Sequence, residues 1–413
     1  MKIKDALQRD PASYPLVNQG QARISDNRNE RAQSELRGEL ETFVCEGQYT
    51  DGIEKILRSY LSNLSSTSQR GAWVSGFFGS GKSHLLKMLC HLWQDTSFPD
   101  GATARSLIPS MPDELRALLR ELDTAGKRAG GLIAAAGAMP SGTTDNVRLT
   151  IAAILFRAVG LPEQYPQARF CLWLHSQGIF DKVKVAIELD GKPFERVIND
   201  LYVSGTIARS ILAADPTFAA SEAEARQLIK AQFPPQPSDI TTSEFLRIAG
   251  EALRLVGREG RIPSTLLVLD EVQQYIGDSN DRSTWVTEVV EALSKQFDCK
   301  LIVVGAGQSA LTEVPLLKKL MDRLTISVPL SDAEVETVTR KVLLQKKPTA
   351  VADVRALLDK HAGEVSRQLQ GTRIGETIED RAIIVDDYPL LPVRRRFWEN
   401  CFRQIDAAGT SSQ

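Results

Sequence analysis

Cysteine is scarce and unpatterned in this 413-residue chain. The five residues Cys45, Cys90, Cys171, Cys299 and Cys401 form no C-x-x-C pair and are odd in number, which argues against a disulfide framework and for a reducing cytoplasm. No apolar run approaches the roughly 20 residues needed to cross a bilayer. The segment Met1-Lys-Ile-Lys-Asp-Ala-Leu lacks the apolar core of a secretion signal. A cytoplasmic chain with no membrane partner is therefore expected. The formal net charge is only −2, so no global basic field calls for nucleic acid, although local patches average out in such a sum. There is no Ser-His-Asp arrangement and no metal-ligand cluster. Cys171 and His175 stand at helical spacing, but two ligands do not make a zinc site, and both read as packing residues. What remains is an ordinary globular composition, 42% hydrophobic and 25% charged, in a chain long enough for two or three domains.

Hydrophobic periodicity divides the chain. Arg23–Arg37 is dense in polar residues and reads as a solvated arm or helix. Residues 52–64 carry apolar positions at helical spacing. Ala72–Ser75 reads as a short strand running into a glycine-rich turn, with a helix from Lys82 to Trp93. Gly131–Met139 reads as a second buried strand, and Asp145–Val159 as a helix. Residues 160–250 are mostly helical in pattern, with a possible short strand at Val183–Ile187. Thr265–Asp270 and Lys300–Gly305 are continuous apolar runs of the kind buried on both faces of a parallel sheet. Asn280–Phe297 and Leu311–Leu324 read as helices, and Thr325–Val328 as a short strand. Alternating strands and helices imply an α/β fold with a parallel sheet and crossover helices. The long connection before Leu266 implies a helical insertion, because most strand–helix connections are short.

The turn after the first strand, Gly76-Phe77-Phe78-Gly79-Ser80-Gly81-Lys82-Ser83, matches G-x-x-x-x-G-K-[ST]. Its spacing suits one chemistry. Glycines let the backbone curl so that successive N–H groups converge on a phosphate, and the following helix adds the positive end of its dipole. Lys82 is placed to reach the β- and γ-phosphates of ATP, and the Ser83 hydroxyl to ligate Mg²⁺. His84, the next residue, belongs to the same stretch and reads as a first-turn residue facing protein.

A second constellation is the apolar strand that ends in Asp270-Glu271. An acid at such a strand end holds the magnesium, and a second acid beside it can polarise the attacking water. Asp270 fits the first role and Glu271 the second. After Leu301–Val304 comes Gly305-Ala-Gly-Gln308-Ser309, where a polar residue can sense the γ-phosphate. Gln308 is the candidate, Ser309 the alternative, and a glycine-rich turn with polar filler the plain reading. Arg323, just before the last strand, is a candidate to reach a neighbouring subunit's nucleotide, or else a surface arginine paired with a local acid. Arg394-Arg395-Arg396 could contact DNA phosphates, serve in a lid, or form a solvated helix face.

Met1-Lys-Ile-Lys-Asp, the extended loop Gly76-Phe-Phe-Gly-Ser-Gly-Lys-Ser-His-Leu-Leu-Lys-Met-Leu, Leu269-Asp-Glu-Val-Gln-Gln and Tyr388-Pro-Leu-Leu-Pro together resemble the BrxC family, related to PglY, the P-loop ATPases of the bacterial BREX anti-phage system. The resemblance implies a P-loop NTPase of the AAA+ kind, akin to origin-recognition and initiator ATPases. It implies ATP hydrolysis, a homo-oligomer, a role in phage restriction and host DNA methylation, and partners among other BREX proteins: a methyltransferase, an alkaline-phosphatase-like protein and small accessory proteins. DNA is a possible further partner. Family members are longer, so the chain is expected to be an N-terminal fragment or a shortened member. The expected organisation is an arm at 1–50, an ATPase core at 51–159 and 251–330, a helical insertion at 160–250 and a helical lid at 331–413.

Overall fold

A computed structural model describes residues 2–9, 30–77, 79–140, 146–235, 238–331, 333–372 and 374–410. The chain divides into two compact units, Ala22–Ser331 and Met1–Gln21 with Asp332–Gln413. The expected arm at 1–50 is thus shared between them. Phe78 lies outside the described residues, as do the start of the Arg23–Arg37 stretch and the first residue of the expected helix at Asp145.

The larger unit is α/β. Among its described residues the sheet has five strands, β1 (Ala72–Ser75), β2 (Leu132–Ala138), β3 (Ser264–Asp270), β4 (Leu301–Gly307) and β5 (Ile326–Pro329), in the order β2-β3-β4-β1-β5. Every pairing is parallel, with Ser75 opposite Gly307 and Leu269 opposite Gly305. The central strands β3 and β4 are buried along their whole length, which is why they read as unbroken apolar runs. The edge strand β5 alternates buried and exposed. In a parallel sheet all strand ends of one kind share an edge, so the exits of β1, β3 and β4 lie together.

Helices cover both faces. Seven of them matter here: α1 (Gly47–Ser62), α2 (Lys82–Gln94), α3 (Asp113–Ala129), α4 (Val147–Ala158), α5 (Thr242–Val256), α6 (Val272–Ile276) and α7 (Asn280–Lys295). Strand alternation sorts them. On β2, Leu132 abuts Gly126 of α3, whereas Gly137 abuts Ile154 of α4. The first face carries α1, α2 and α3, the second α4, α5 and α7. On the first, Trp93 of α2 is fully buried, meets Tyr60 of α1 edge-on at 4.7 Å and donates its indole N–H to Ser264 O at 3.1 Å. Burying two such rings contributes several kcal/mol, roughly 1.5–3 per large apolar side chain.

Residues 160–250 are helical among the described residues, and their core is continuous with that of the sheet. The possible strand at Val183–Ile187 is instead part of the helix Phe180–Leu189. Val183 and Ile187 are four apart and both fully buried, so one helix face satisfies them while Lys182 and Glu188 stay exposed. The expected helix at Leu311–Leu324 shrinks to a 3₁₀ stretch, Pro315–Leu320. Pro315 lacks an N–H and holds Val314 in the extended region, so no regular helix runs through it.

The smaller unit is helical, with Val351–Leu369, Asp380–Asp387 and Pro392–Thr410 as its longer helices. Ile3–Ala6 docks here: Lys347 N–H donates to Ala6 O at 2.9 Å, and Ala6 is fully buried. Two residues of the arginine run serve an internal ion network. Arg395 and Arg340 both donate to Asp387, which is fully buried, and Arg396 pairs with Asp380. Arg394 remains exposed and borders a cavity of about 530 Å³ beside His361, Val365, Leu369 and Leu391. Among the described residues, no helix is long and apolar enough to cross a membrane.

Candidate functional site

The sheet edge where β1, β3 and β4 end brings together most of the residues singled out by sequence. The chain leaves β1 at Gly76 and curls into α2. Gly79 and Gly81 take φ of +89° and +85°, a region that favours glycine. At Gly79 an added Cβ would meet no described residue other than its chain neighbours, so the loop presents bare backbone there. At Gly81 it would lie 2.0 Å from the Tyr49 hydroxyl. Tyr49, buried at the start of α1, donates to Ser80 O at 3.2 Å and so supports the loop from beneath. Gly81 caps α2 with no side-chain acceptor, which leaves the first N–H groups of the helix without a side-chain partner. The Ser80 hydroxyl is buried and has no hydrogen-bond partner among the described residues.

Lys82 folds back over the loop, its Nζ donating to Gly76 O at 2.6 Å and Phe77 O at 2.9 Å. Burial lowers its pKa, and the negative Asp270 opposes that shift. Ser83 Oγ donates to Asp270 Oδ2 at 2.6 Å, across 187 residues of sequence. Because β4 lies between β1 and β3, their backbones stand about 9–10 Å apart at two strand spacings. The first turn of α2 spans that gap. Asp270 is buried, and its other oxygen accepts the Glu271 N–H at 2.9 Å.

Glu271 sits at φ +57°, a left-handed conformation uncommon for a residue with a side chain. Such geometry costs about 1–3 kcal/mol and persists where surroundings enforce it. Its carboxyl pKa is raised, first by desolvation and then by the Asp270 charge. A hydroxyl and a carboxylate at this spacing are hard oxygen donors of the kind that hold a hard divalent cation. Uncapped helix N–H groups and a lysine beside them suit an anion.

His84 is half-buried and faces protein, its ring 5.7 Å from that of Phe43. Burial lowers its pKa. Beyond it, Lys87 of α2 pairs at 2.5 Å with Glu39 of the helix Glu30–Glu41, and both are buried.

The two alternatives at the end of β4 separate. Ser309 is engaged on three sides: its N–H donates to Gln273 Oε1 at 2.8 Å, its Oγ accepts from Gln273 Nε2 at 3.4 Å, and its carbonyl accepts from Trp73 Nε1 at 2.9 Å. Gln308 beside it is exposed.

Arg323 is not brought to this site. Its carbonyl accepts from Gly71 N–H, at the start of β1, so it lies at the opposite edge of the sheet from the loop. Its guanidinium pairs with Glu291 at 2.8 Å. Sequence reasoning missed Tyr49, Trp73 and Gln273. Gln273 alone had a local signal, being a polar residue two positions after Glu271; the other two are recognisable only from contacts. No protein-family model matches the chain.

Proposed function

We propose that this chain is a P-loop ATPase of the AAA+ kind that binds ATP with Mg²⁺ and hydrolyses it. The observation that carries the reading is the Ser83–Asp270 hydrogen bond, which joins a glycine-rich turn at a helix N-terminus to an acid at a neighbouring strand end. The residues fit the group. The backbone from Gly79 to Ser83 supplies phosphate donors, Lys82 a cation for the β- and γ-phosphates, and Ser83 with Asp270 the oxygen pair for the metal. When bound, Mg²⁺ supplies charge neutralisation on the phosphate oxygens. Glu271, its proton affinity raised, accepts a hydrogen bond from the attacking water and orients it. Gln308, exposed just beyond β4, is the polar side chain available to sense the γ-phosphate. Arg323, at the far edge, serves only a neighbouring copy's nucleotide, which requires a homo-oligomer.

The resemblance to the BrxC family supports a cytoplasmic role in BREX phage defence and DNA methylation, with ATP state controlling assembly on partner proteins or DNA. A second reading has its own support. With Arg323 remote from the loop, an isolated subunit acts as a nucleotide-gated scaffold that binds ATP and turns it over slowly. Titration with ATP and Mg²⁺, followed by phosphate-release kinetics, tests the proposal. Lys82→Ala should abolish binding, whereas Glu271→Gln should keep binding and trap ATP. Wild-type turnover in Glu271→Gln would sink the catalytic assignment.

A further inference from the structure

The strand-end edge contains a connection that the roles above do not use. Gln273 stands two residues beyond Glu271, in the first turn of α6. That helix has five residues and ends at Gly277, with φ +49°. So short a helix has little stability of its own, and its direction must come from what its side chains hold. The Gln273 carboxamide uses both of its functions on one residue of another loop, accepting from Ser309 N–H at 2.8 Å and donating to Ser309 Oγ at 3.4 Å. Ser309 O in turn accepts from the indole of Trp73, a buried residue of the strand that feeds the phosphate-binding turn.

The glycines of β4 make this possible. A Cβ at Gly307 would lie 2.4 Å from the Trp73 ring and 2.9 Å from Gln273 Oε1, and one at Gly305 would lie 3.0 Å from the same ring. Any side chain at Gly307 would push the indole and the carboxamide off Ser309. The Gly305-Ala-Gly307 run, which reads in sequence as a glycine-rich turn, is the buried end of β4 and the slot in which the exits of β1, β3 and β4 are keyed together.

We infer that Gln273 is a positioning residue, which through Ser309 and Trp73 holds the turn carrying Glu271 in register with the loop carrying Gln308 and with the phosphate-binding turn. The inference rests on the ATPase reading above. The Gln273 carboxamide is committed to Ser309 and carries none of the phosphate or metal roles assigned above, so its loss should leave binding intact and misplace the groups that act on water and γ-phosphate. A shift of about 1 Å at such groups costs on the order of a hundredfold in rate.

The experiment measures ATP dissociation constant, turnover number and melting temperature for the full chain and for Glu271→Gln, Gln273→Met, Trp73→Phe and the Trp73→Phe/Gln273→Met double variant. Gln273→Met keeps length and volume but removes donor and acceptor. It should bind ATP within twofold of wild type and lose at least tenfold in turnover. Trp73→Phe should lose turnover in the same way. Because both act through Ser309, the double variant should be no more than threefold slower than the slower single variant. Unchanged turnover in Gln273→Met overturns the assignment. So do multiplicative losses in the double variant, or a loss of ATP binding or cooperative melting in Gln273→Met, which would make the residue merely structural. Equal turnover in Glu271→Gln and wild type, or no ATP binding by wild type, refutes the ATPase reading itself and removes this inference with it.

Discussion

Replacing Gly79 and Gly81 one at a time with alanine separates two reasons for glycine in the same turn. Both positions have φ near +85 to +89°. A Cβ there costs about 1–2 kcal/mol in backbone strain. At Gly79 no described residue apart from its chain neighbours lies within 4 Å of the added atom, so the protein itself imposes strain alone. Gly79→Ala should therefore weaken ATP binding by roughly 5- to 30-fold, at 1.4 kcal/mol per tenfold. At Gly81 the Cβ would stand 2.0 Å from the Tyr49 hydroxyl and 3.0 Å from the ring carbon that bears it. Relieving that overlap displaces a buried ring and adds about 1–3 kcal/mol. Gly81→Ala should then lose roughly 30- to 4,000-fold. Removing the hydroxyl relieves the closest contact, so Tyr49→Phe in the Gly81→Ala background should recover part of the loss. In the wild-type background the same change removes one hydrogen bond to Ser80 O, a cost of about 0.5–1.5 kcal/mol. Isothermal titration of ATP at fixed Mg²⁺ measures all four constants. Equal losses for the two alanine variants, with no recovery from Tyr49→Phe, would refute the proposed support of the loop by α1.

Further outcomes follow from the same geometry. In the nucleotide-free chain the Glu271 carboxyl should titrate above the ordinary carboxylate value, because desolvation and then the Asp270 charge raise it; a carboxyl NMR titration that follows an unshifted carboxylate contradicts this. In stability the sign is opposite to that of a paired acid. Between the unfolded and the raised folded pKa the native state binds more protons, so this residue's contribution to stability declines as pH rises through that window. Glu271→Gln should accordingly raise the melting temperature slightly at neutral pH, as read by calorimetry. Trp93→Ala should cost about 3–5 kcal/mol in denaturant unfolding, since it empties a fully buried site between α2 and the sheet. Activity per subunit should rise with protein concentration in wild type and stay flat in Arg323→Ala, because Arg323 lies at the opposite edge from its own loop; concentration-independent activity in wild type would exclude a contribution from a neighbour.

Local chemistry decided what could be read directly from the residues. Glycine at positive φ, a lysine and hydroxyl at a helix start, and an unbroken apolar run closing in two acids all depend on neighbours in sequence. The strand–turn–helix around Gly76–Ser83 and the buried strand ending at Asp270 were therefore legible, as was a parallel sheet. Short segments were less so. Val183–Ile187 carries β-branched residues that suit either period, and the packing of one helix face settled it. Tertiary structure alone decided the strand order, because inserting β4 between β1 and β3 is a matter of non-local pairing. That order put Ser83 beside Asp270, brought Gln273 onto Ser309, explained Gly305 and Gly307 by the indole lying across them, and set Arg323 at the far edge against Glu291. Sequence specifies which groups a segment offers; only the packed sheet specifies which of them meet, since contact across 187 residues depends on how every intervening element packs.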